Sequence, residues 1–467
     1  MSMRKRAGGK QLGMWVAAGD LARSPGHPFY ERLNKVLSAA GFDAFVEERC
    51  ARFYAEGKGR PSIPPGVYMR MLLVGFFEGL DSERGIAWRC ADSMSLRSFL
   101  GYELSQSTPD HSSLSRIRTR LDVEVHQEVF TFVLKVLAEK GLLRGKTIGV
   151  DATTLEANAA LRSIVRRDDG AGYRDYLESL AKASGIATPT REDLARIDKK
   201  RPKKGSNDDW KHPHDPDAKI VKMKDGRTHL AHKAEHAVDL DSGAVMAVTV
   251  QDATLGDPAT MKRTMERTAL NVLELQRDPA CKDALSARAL AEWVADRGYH
   301  ANETMEMARF GLRSYVSEPR RARRRWKGRE AARLGTYANR RRIRSRRGKR
   351  LLARRGELLE RTFAHCLETG RMRRAHLRGR ANLLKRYLVH VAAFNLSLVM
   401  RQICGVGTPR GFQGRLAELI AMLRSWIEAV KGTCAAITSF PSLVREIADL
   451  PIGPSGSSTR MACSTGC

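Results

Sequence analysis

Three carboxylates stand in settings suited to phosphoryl-transfer chemistry. Asp151 lies in Ile148-Gly149-Val150-Asp151-Ala152-Thr153-Thr154-Leu155-Glu156-Ala157-Asn158, and Asp296 in Ala295-Asp296-Arg297-Gly298-Tyr299-His300. Glu360 lies in Leu358-Leu359-Glu360-Arg361-Thr362-Phe363-Ala364. Period-two alternation over 146–155 predicts a strand for Asp151, and a brief apolar run at 292–294 brings Asp296 to the end of another. Helical spacing over 351–368 puts Glu360 on a helix. Hard carboxylate oxygens hold Mg²⁺, and paired ions of this kind clamp the attacking and leaving oxygens of a phosphoryl transfer. The 467-residue chain carries 82 Lys and Arg against 52 Asp and Glu, a net charge of +30, which suits a polyanionic substrate. These features predict a metal-dependent enzyme that cuts nucleic acid.

The three runs resemble the Asp-Asp-Glu (DDE) transposases of bacterial insertion sequences. The Asp151 run is similar to that family's first catalytic strand, and Asp296-Arg297-Gly298-Tyr299 to its Asp-x-Gly-Tyr signature. Glu360-Arg361-Thr362-Phe363-Ala364 is similar to the helix that bears its last carboxylate. The resemblance runs from about residue 60 to about 410. It implies a mixed α/β fold, with a ribonuclease-H-like catalytic core preceded by a helical DNA-binding domain. It also implies Asp151, Asp296 and Glu360 as catalytic and metal-binding residues, with Mg²⁺ as cofactor and Mn²⁺ as its substitute. The expected partner is double-stranded DNA, both element ends and target, bound by a homo-oligomer. One departure stands out: Gly356 and Leu367 occupy the Arg and Lys positions of the related Tyr-x-x-Arg-x-x-x-Glu-x-x-x-x-x-x-Lys signature. Arg354, Arg355 or Arg361 is expected to supply that phosphate contact.

Taken alone, each carboxylate has a plainer reading. A single Asp on a strand is more often an edge or turn residue than a ligand, and Glu357 or Glu368 projects near Glu360 on the same helix. A bound cation removes the objection that an unpaired carboxylate in mid-strand is costly. His229, His232 and His236 have spacings that would suit a metal on a helix. On a strand they do not converge, so packing or surface roles are expected. The eight cysteines are scattered singly without Cys-x-x-Cys spacing, which argues for reduced thiols rather than a zinc site or a disulfide framework.

Composition limits the alternatives. At 42% apolar and 29% charged residues the chain is too apolar to be disordered throughout. No run approaches the roughly 18 consecutive apolar residues of a membrane span, and no signal-peptide core follows Arg4-Lys5-Arg6. A cytoplasmic, nucleoid-associated protein is expected, with no membrane partner.

The elements that must position the carboxylates follow in order. Residues 1–60 form an N-terminal helical segment. Residues 61–142 give a helix-turn-helix-like domain, with helices after Pro65, over 82–93, over 95–100, from Ser107-Thr108-Pro109-Asp110 to about Leu121, and over 123–140. Arg116, Arg118 and Arg120 on the Ser/Asp-capped helix are candidate DNA contacts, against the plainer reading of a packing bundle. The catalytic domain spans 143–403. A polar excursion at about 160–228 carries helices at 173–183 and 191–197. A hairpin follows across Asp241-Ser242-Gly243, then a helix from Asp257-Pro258 to about Leu275, a helix over 302–310 and a strand at 314–317. About half of residues 320–355 are Arg or Lys, with Trp326 and Tyr337 interspersed. Lying between two catalytic elements, this run reads as a phosphate grip, with Arg323, Arg324, Arg325, Lys327 and Arg329 among its contacts. Residues 404–467 add a C-terminal helix and a flexible tail.

Overall fold

The computed structural model describes residues 26–55, 62–201, 205–223, 226–320, 324–374 and 376–411. The readings of a C-terminal helix and tail, and of Arg323 in the basic run, lie outside the described residues.

Among the described residues seven α-helices come first: α1 (Pro28–Ala39), α2 (Phe42–Cys50), α3 (Pro65–Phe77), α4 (Glu83–Asp92), α5 (Met94–Phe99), α6 (His111–Arg120) and α7 (Val123–Glu139). Their starts follow from the capping chemistry. Ser82, Ser93, Asp110 and Asp122 each accept a backbone N–H from the first turn of the helix that follows. Helix α3 is buried on nearly every side, as expected of a segment with almost no polar residue to offer water.

The α/β part follows. It contains β1 (Thr147–Glu156), β2 (Val165–Arg166), α8 (Tyr173–Ala183), α9 (Arg191–Lys200), β3 (Trp210–Lys211), β4 (Lys219–Lys222), β5 (Thr228–Asp239), β6 (Val245–Asp252) and α10 (Asp257–Arg277). Then come β7 (Glu292–Ala295), α11 (Asn302–Glu306), β8 (Arg313–Val316), α12 (Glu330–Arg344), α13 (Arg346–Ala364) and α14 (Arg380–Cys404). In the main sheet β5, β1, β7 and β8 lie side by side, and β4 and β6 share the outer edge of β5. Strands β1, β7 and β8 are parallel, whereas β5 runs antiparallel to β1, β4 and β6. The fold is mixed α/β, as expected.

Side chains on β5 show what covers each face. Lys233 and Glu235 meet α10 through Asp257 and Thr260. His236 points the other way, to Thr362 of α13 and Tyr387 of α14. Helix α14 is long and apolar enough to cross a membrane by length and composition, but most of it is buried in the fold. There it joins the helical part to the sheet. Lys385 Nζ donates to the Arg118 carbonyl, Arg386 donates to the Leu72 and Leu80 carbonyls, and Asn395 bonds both backbone groups of Val245. The described elements all fall in one compact unit, Met1–Pro409.

The 160–228 stretch is more ordered than a polar excursion. Trp210 packs with Ala157, Ile164, Ala218, Ile220 and Leu230 in a small core of its own. Tyr173 and Tyr176 lie against it, with Arg166 and Arg201 over their rings. A single tryptophan in a charged sequence organises this core, which is why composition concealed it.

Candidate active site

Asp151 and Asp296 come together through strand register. Parallel pairing of β1 with β7 aligns Thr147 with Glu292, Ile148 with Trp293 and Gly149 with Val294. Two residues beyond that last pair on each strand stand Asp151 and Asp296, on chains roughly 4.8 Å apart. Asp151 faces α13, whereas Asp296 follows the last residue of β7 and caps the turn that comes next. Glu292, four residues before Asp296, reaches Arg347 of α13, and Asp151 reaches Arg355 of the same helix. Both carboxylates are partly exposed.

Each aspartate is held locally. The backbone of Asp296 is extended (φ −78°, ψ −176°), and its Oδ1 accepts the Gly298 N–H at 2.9 Å. A Cβ at position 298 would run into the Asp257 carboxylate, which explains the glycine there. Asp151 Oδ1 accepts the Ala152 N–H at 2.9 Å, while Arg355 Nη2 stands 2.7 Å from its Oδ2. Gly149 gives the helix room to pass, because a side chain there would strike Leu359 of α13 and Leu240.

Helix α13 lays Leu351, Arg355, Leu359, Thr362 and Phe363 toward the sheet. Leu359 sits over Gly149, and Phe363 stacks on His236 at 4.4 Å. On one flank Arg354 donates to the Asp241 carbonyl and Leu358 touches Gly243, both at the β5–β6 hairpin. Glu360 lies about 160° round the helix from Leu358 in the other direction, at 100° per residue. It is on the flank away from the hairpin, exposed and without a hydrogen bond or ion pair among the described residues. Gly356, one turn earlier on that flank, has open space where a side chain would be.

The three expected carboxylates are brought together only in part. Among the described residues no three His, Cys, Asp or Glu side chains are gathered closely enough to hold one ion. The two aspartates lie adjacent, and Glu360 stays on the exposed flank of α13. Glu357 is engaged elsewhere, accepting from Arg361 at 2.6 Å. The histidines do not converge either: His236 and His232 are buried, with His232 against Asp215 at 3.3 Å.

Sequence reasoning missed the acidic corner behind Asp296. Tyr299 is buried and donates to Glu235 Oε1 at 2.8 Å. Burial, then Glu235, Asp151 and Asp257, push its hydroxyl well above the usual phenol range. Glu235 is itself raised, chiefly by burial, and Asp257 is paired with Lys233 at 2.6 Å. Asp257-Pro258 read only as a helix start. No sequence signal tied Glu235 to the site, because the contact depends on the fold of β5 against β1.

The basic candidates are sorted by their surroundings. Arg324 donates to His300 Nδ1 at 2.9 Å and to Asn302, and lies over Trp326. Arg325, Lys327 and Arg329 are exposed. Arg116 is exposed and donates to Ser112, and Arg120 lies over Tyr54. Arg118 is a correction: it is buried, with its Nε 2.7 Å from Glu83 of α4, so its charge fastens two helices rather than facing DNA.

Residues 19–120, roughly a fifth of the chain, match the family described as Transposase domain (DUF772). This match supports a transposase, an enzyme acting on DNA. No curated protein and no solved structure matches the chain.

Proposed function

We propose that the protein is a DDE-type DNA transposase that binds the terminal inverted repeats of its own element, cleaves the ends and joins them to target DNA. The observation that carries this reading is the level placement of Asp151 and Asp296 on adjacent parallel strands, in a chain whose first part matches a transposase domain. The sheet order, with one antiparallel strand beside three parallel ones, supports a ribonuclease-H-like core.

The donor set fits a divalent cation in kind. Two carboxylates follow the same register pair on adjacent strands, and the Arg355 guanidinium already stands at one of them as a positive charge. Asp151 and Asp296 would hold Mg²⁺, or Mn²⁺ in its place, and Glu360 would join them as third ligand only by coming round from the exposed flank of α13. When bound, the ion supplies an activated oxygen nucleophile and charge neutralisation at phosphorus. The chain does the rest. Hydrogen bonds from Gly298 and Ala152 aim the two carboxylates, and Leu359 and Phe363 fix α13 against the sheet. Arg325, Lys327 and Arg329 hold DNA phosphates without reading sequence. The protein would act in the cytoplasm, as a homo-oligomer on double-stranded DNA.

Incubating the purified protein with Mg²⁺ and DNA carrying the element's ends, then sequencing the products, tests this. Nicked ends and joined products are expected from the wild type, whereas Asp151→Asn and Asp296→Asn should bind DNA but leave it uncut. Cleavage without joining would reduce the protein to a nuclease, and binding with no cleavage would make it a DNA-binding repressor.

A further inference from the structure

The end of the sheet opposite the carboxylates carries a second feature. A cleft of about 560 Å³ opens at the start of β7 and β8, lined by Lys146, Arg288, Glu292, Arg313, Tyr315 and Arg347. Four cations face one carboxylate, and that carboxylate is fully engaged. Glu292 is buried, lies 2.5 Å from Arg347, and accepts from Thr147 at 2.8 Å and Tyr315 at 3.3 Å. Lys146, Arg288 and Arg313 form no ion pair among the described residues. Arg342 adds to the cluster: it is anchored on Ser314 and held below its usual range by burial and then by Arg313 and Arg341. Such crowding of like charge costs free energy unless an anion joins it. Next to the lining residue Ala291, Leu290 has φ +57° and its N–H donates to the Gly145 carbonyl at 2.7 Å. Backbone of that kind persists where the surroundings over-determine it.

We propose that this cleft is a phosphate-binding site that takes the backbone of the DNA being processed, away from the point of cleavage. The assignment rests on the transposase reading for its choice of DNA. Arginine forks match phosphate oxygens in pairs, and three unpaired cations offer more than one phosphate a contact. Helix α13 sets the spacing. Arg347 lines the cleft, and Glu360 lies thirteen residues further along the same helix, a distance of about 20 Å or roughly six base pairs. A duplex running beside α13 reaches both.

The test compares wild type with Arg288→Gln/Arg313→Gln, two exposed positions outside the carboxylate site, after a thermal melt confirms equal folding. Affinity for a 20-base-pair duplex is measured against salt concentration. The slope of log affinity against log salt should shrink by about 1.8 in the double variant, at about 0.9 per lost phosphate contact. An unchanged slope overturns the proposal. Calorimetry with tripolyphosphate separates the sources of phosphate. If the variant loses tripolyphosphate binding while its duplex slope stays unchanged, the cleft takes a free polyphosphate and the DNA assignment is overturned. Neither arm needs cleavage, so inactive carboxylates would sink the catalytic reading and leave this one standing. On a substrate whose nick is mapped, a neutral methylphosphonate about six base pairs away should weaken wild type and not the variant. Equal weakening of both would overturn the spacing.

Discussion

Arg355 Nη2 stands 2.7 Å from Asp151 Oδ2, in a partly buried ion pair that ties α13 to the middle of β1. The Arg355 Nε also points to the Val150 carbonyl at 3.4 Å, so the guanidinium spans a carboxylate and the strand beside it. A cation at this carboxylate is electrostatically satisfied, and one that arrives from solution must share or displace it.

Arg355→Gln should therefore lower the Mg²⁺ concentration that gives half-maximal nicking by several-fold. Maximal activity should fall at the same time, because the helix loses its tie to Asp151. A magnesium titration of nicking rate checks both effects. An unchanged or raised half-maximal concentration would show that Arg355 does not compete with the metal.

Glu360 and Glu357 separate by surroundings. Glu357 is held by Arg361 at 2.6 Å in an exposed i,i+4 pair, worth under about 1 kcal/mol. Glu360 has no partner among the described residues and is on the flank of α13 away from the β5–β6 hairpin. Glu360→Gln should abolish nicking and strand transfer with folding intact, and Glu357→Gln should keep most of both. The assay is the mapped-product reaction, run beside a melt of each variant. Retained strand transfer in Glu360→Gln would leave the aspartates without a third ligand on α13.

Much of the frame was legible because local chemistry decided it. A period-two run marked β1, the Asp241-Ser242-Gly243 turn marked the hairpin of β5 and β6, and a Ser/Asp cap marked α6. Strand register was not legible. That Asp151 and Asp296 stand level follows from the pairing of Gly149 with Val294, which no single-strand pattern encodes. Helix orientation was equally hidden. Arg118 and Arg116 look alike in sequence, yet one faces Glu83 and the other solvent. The cores under Trp210 and behind Tyr299 escaped because polar stretches dilute the apolar signal that would have announced them.

Those two arginines give opposite expectations. Arg118→Ala leaves Glu83 without its partner at a half-buried position, so Tm should fall, with a loss of less than the roughly 3–5 kcal/mol of a fully buried broken pair. Arg116→Ala removes an exposed contact, so Tm should stay within a degree or two while DNA affinity falls and its salt slope shrinks by about 0.9. If Arg118→Ala melts like wild type and loses DNA instead, α6 does not pack as described.

Acid should weaken the fold through buried histidines far from the carboxylates. His126 is buried between Tyr68 at 3.1 Å and the Asp122 carbonyl at 2.7 Å, and burial holds its pKa down to about 4. His390 is buried beside Phe76 and near the Cys366 carbonyl at 2.9 Å, and burial, then Arg386, hold it at about 3. Both rings are neutral in the folded protein, whereas in the unfolded chain they take up protons near pH 6.5. Their contribution is complete above about pH 6.5 and declines as the pH falls toward 4 and then 3. At pH 5.5 each has lost about 1.4 kcal/mol relative to pH 7.5. Glu235 and Asp239 act in the opposite sense, because burial raises their pKa values and their protonation relieves the folded state as acid is added. From pH 7.5 to 5.5 the two histidines together should outweigh these carboxyls and Tm should fall, whereas a rising Tm over that range would give the sign to Glu235 and Asp239. In His126→Gln/His390→Gln the melt at pH 7.5 should drop from lost packing, while the slope of Tm against pH flattens. A double variant with the wild-type slope would assign the acid sensitivity to other groups.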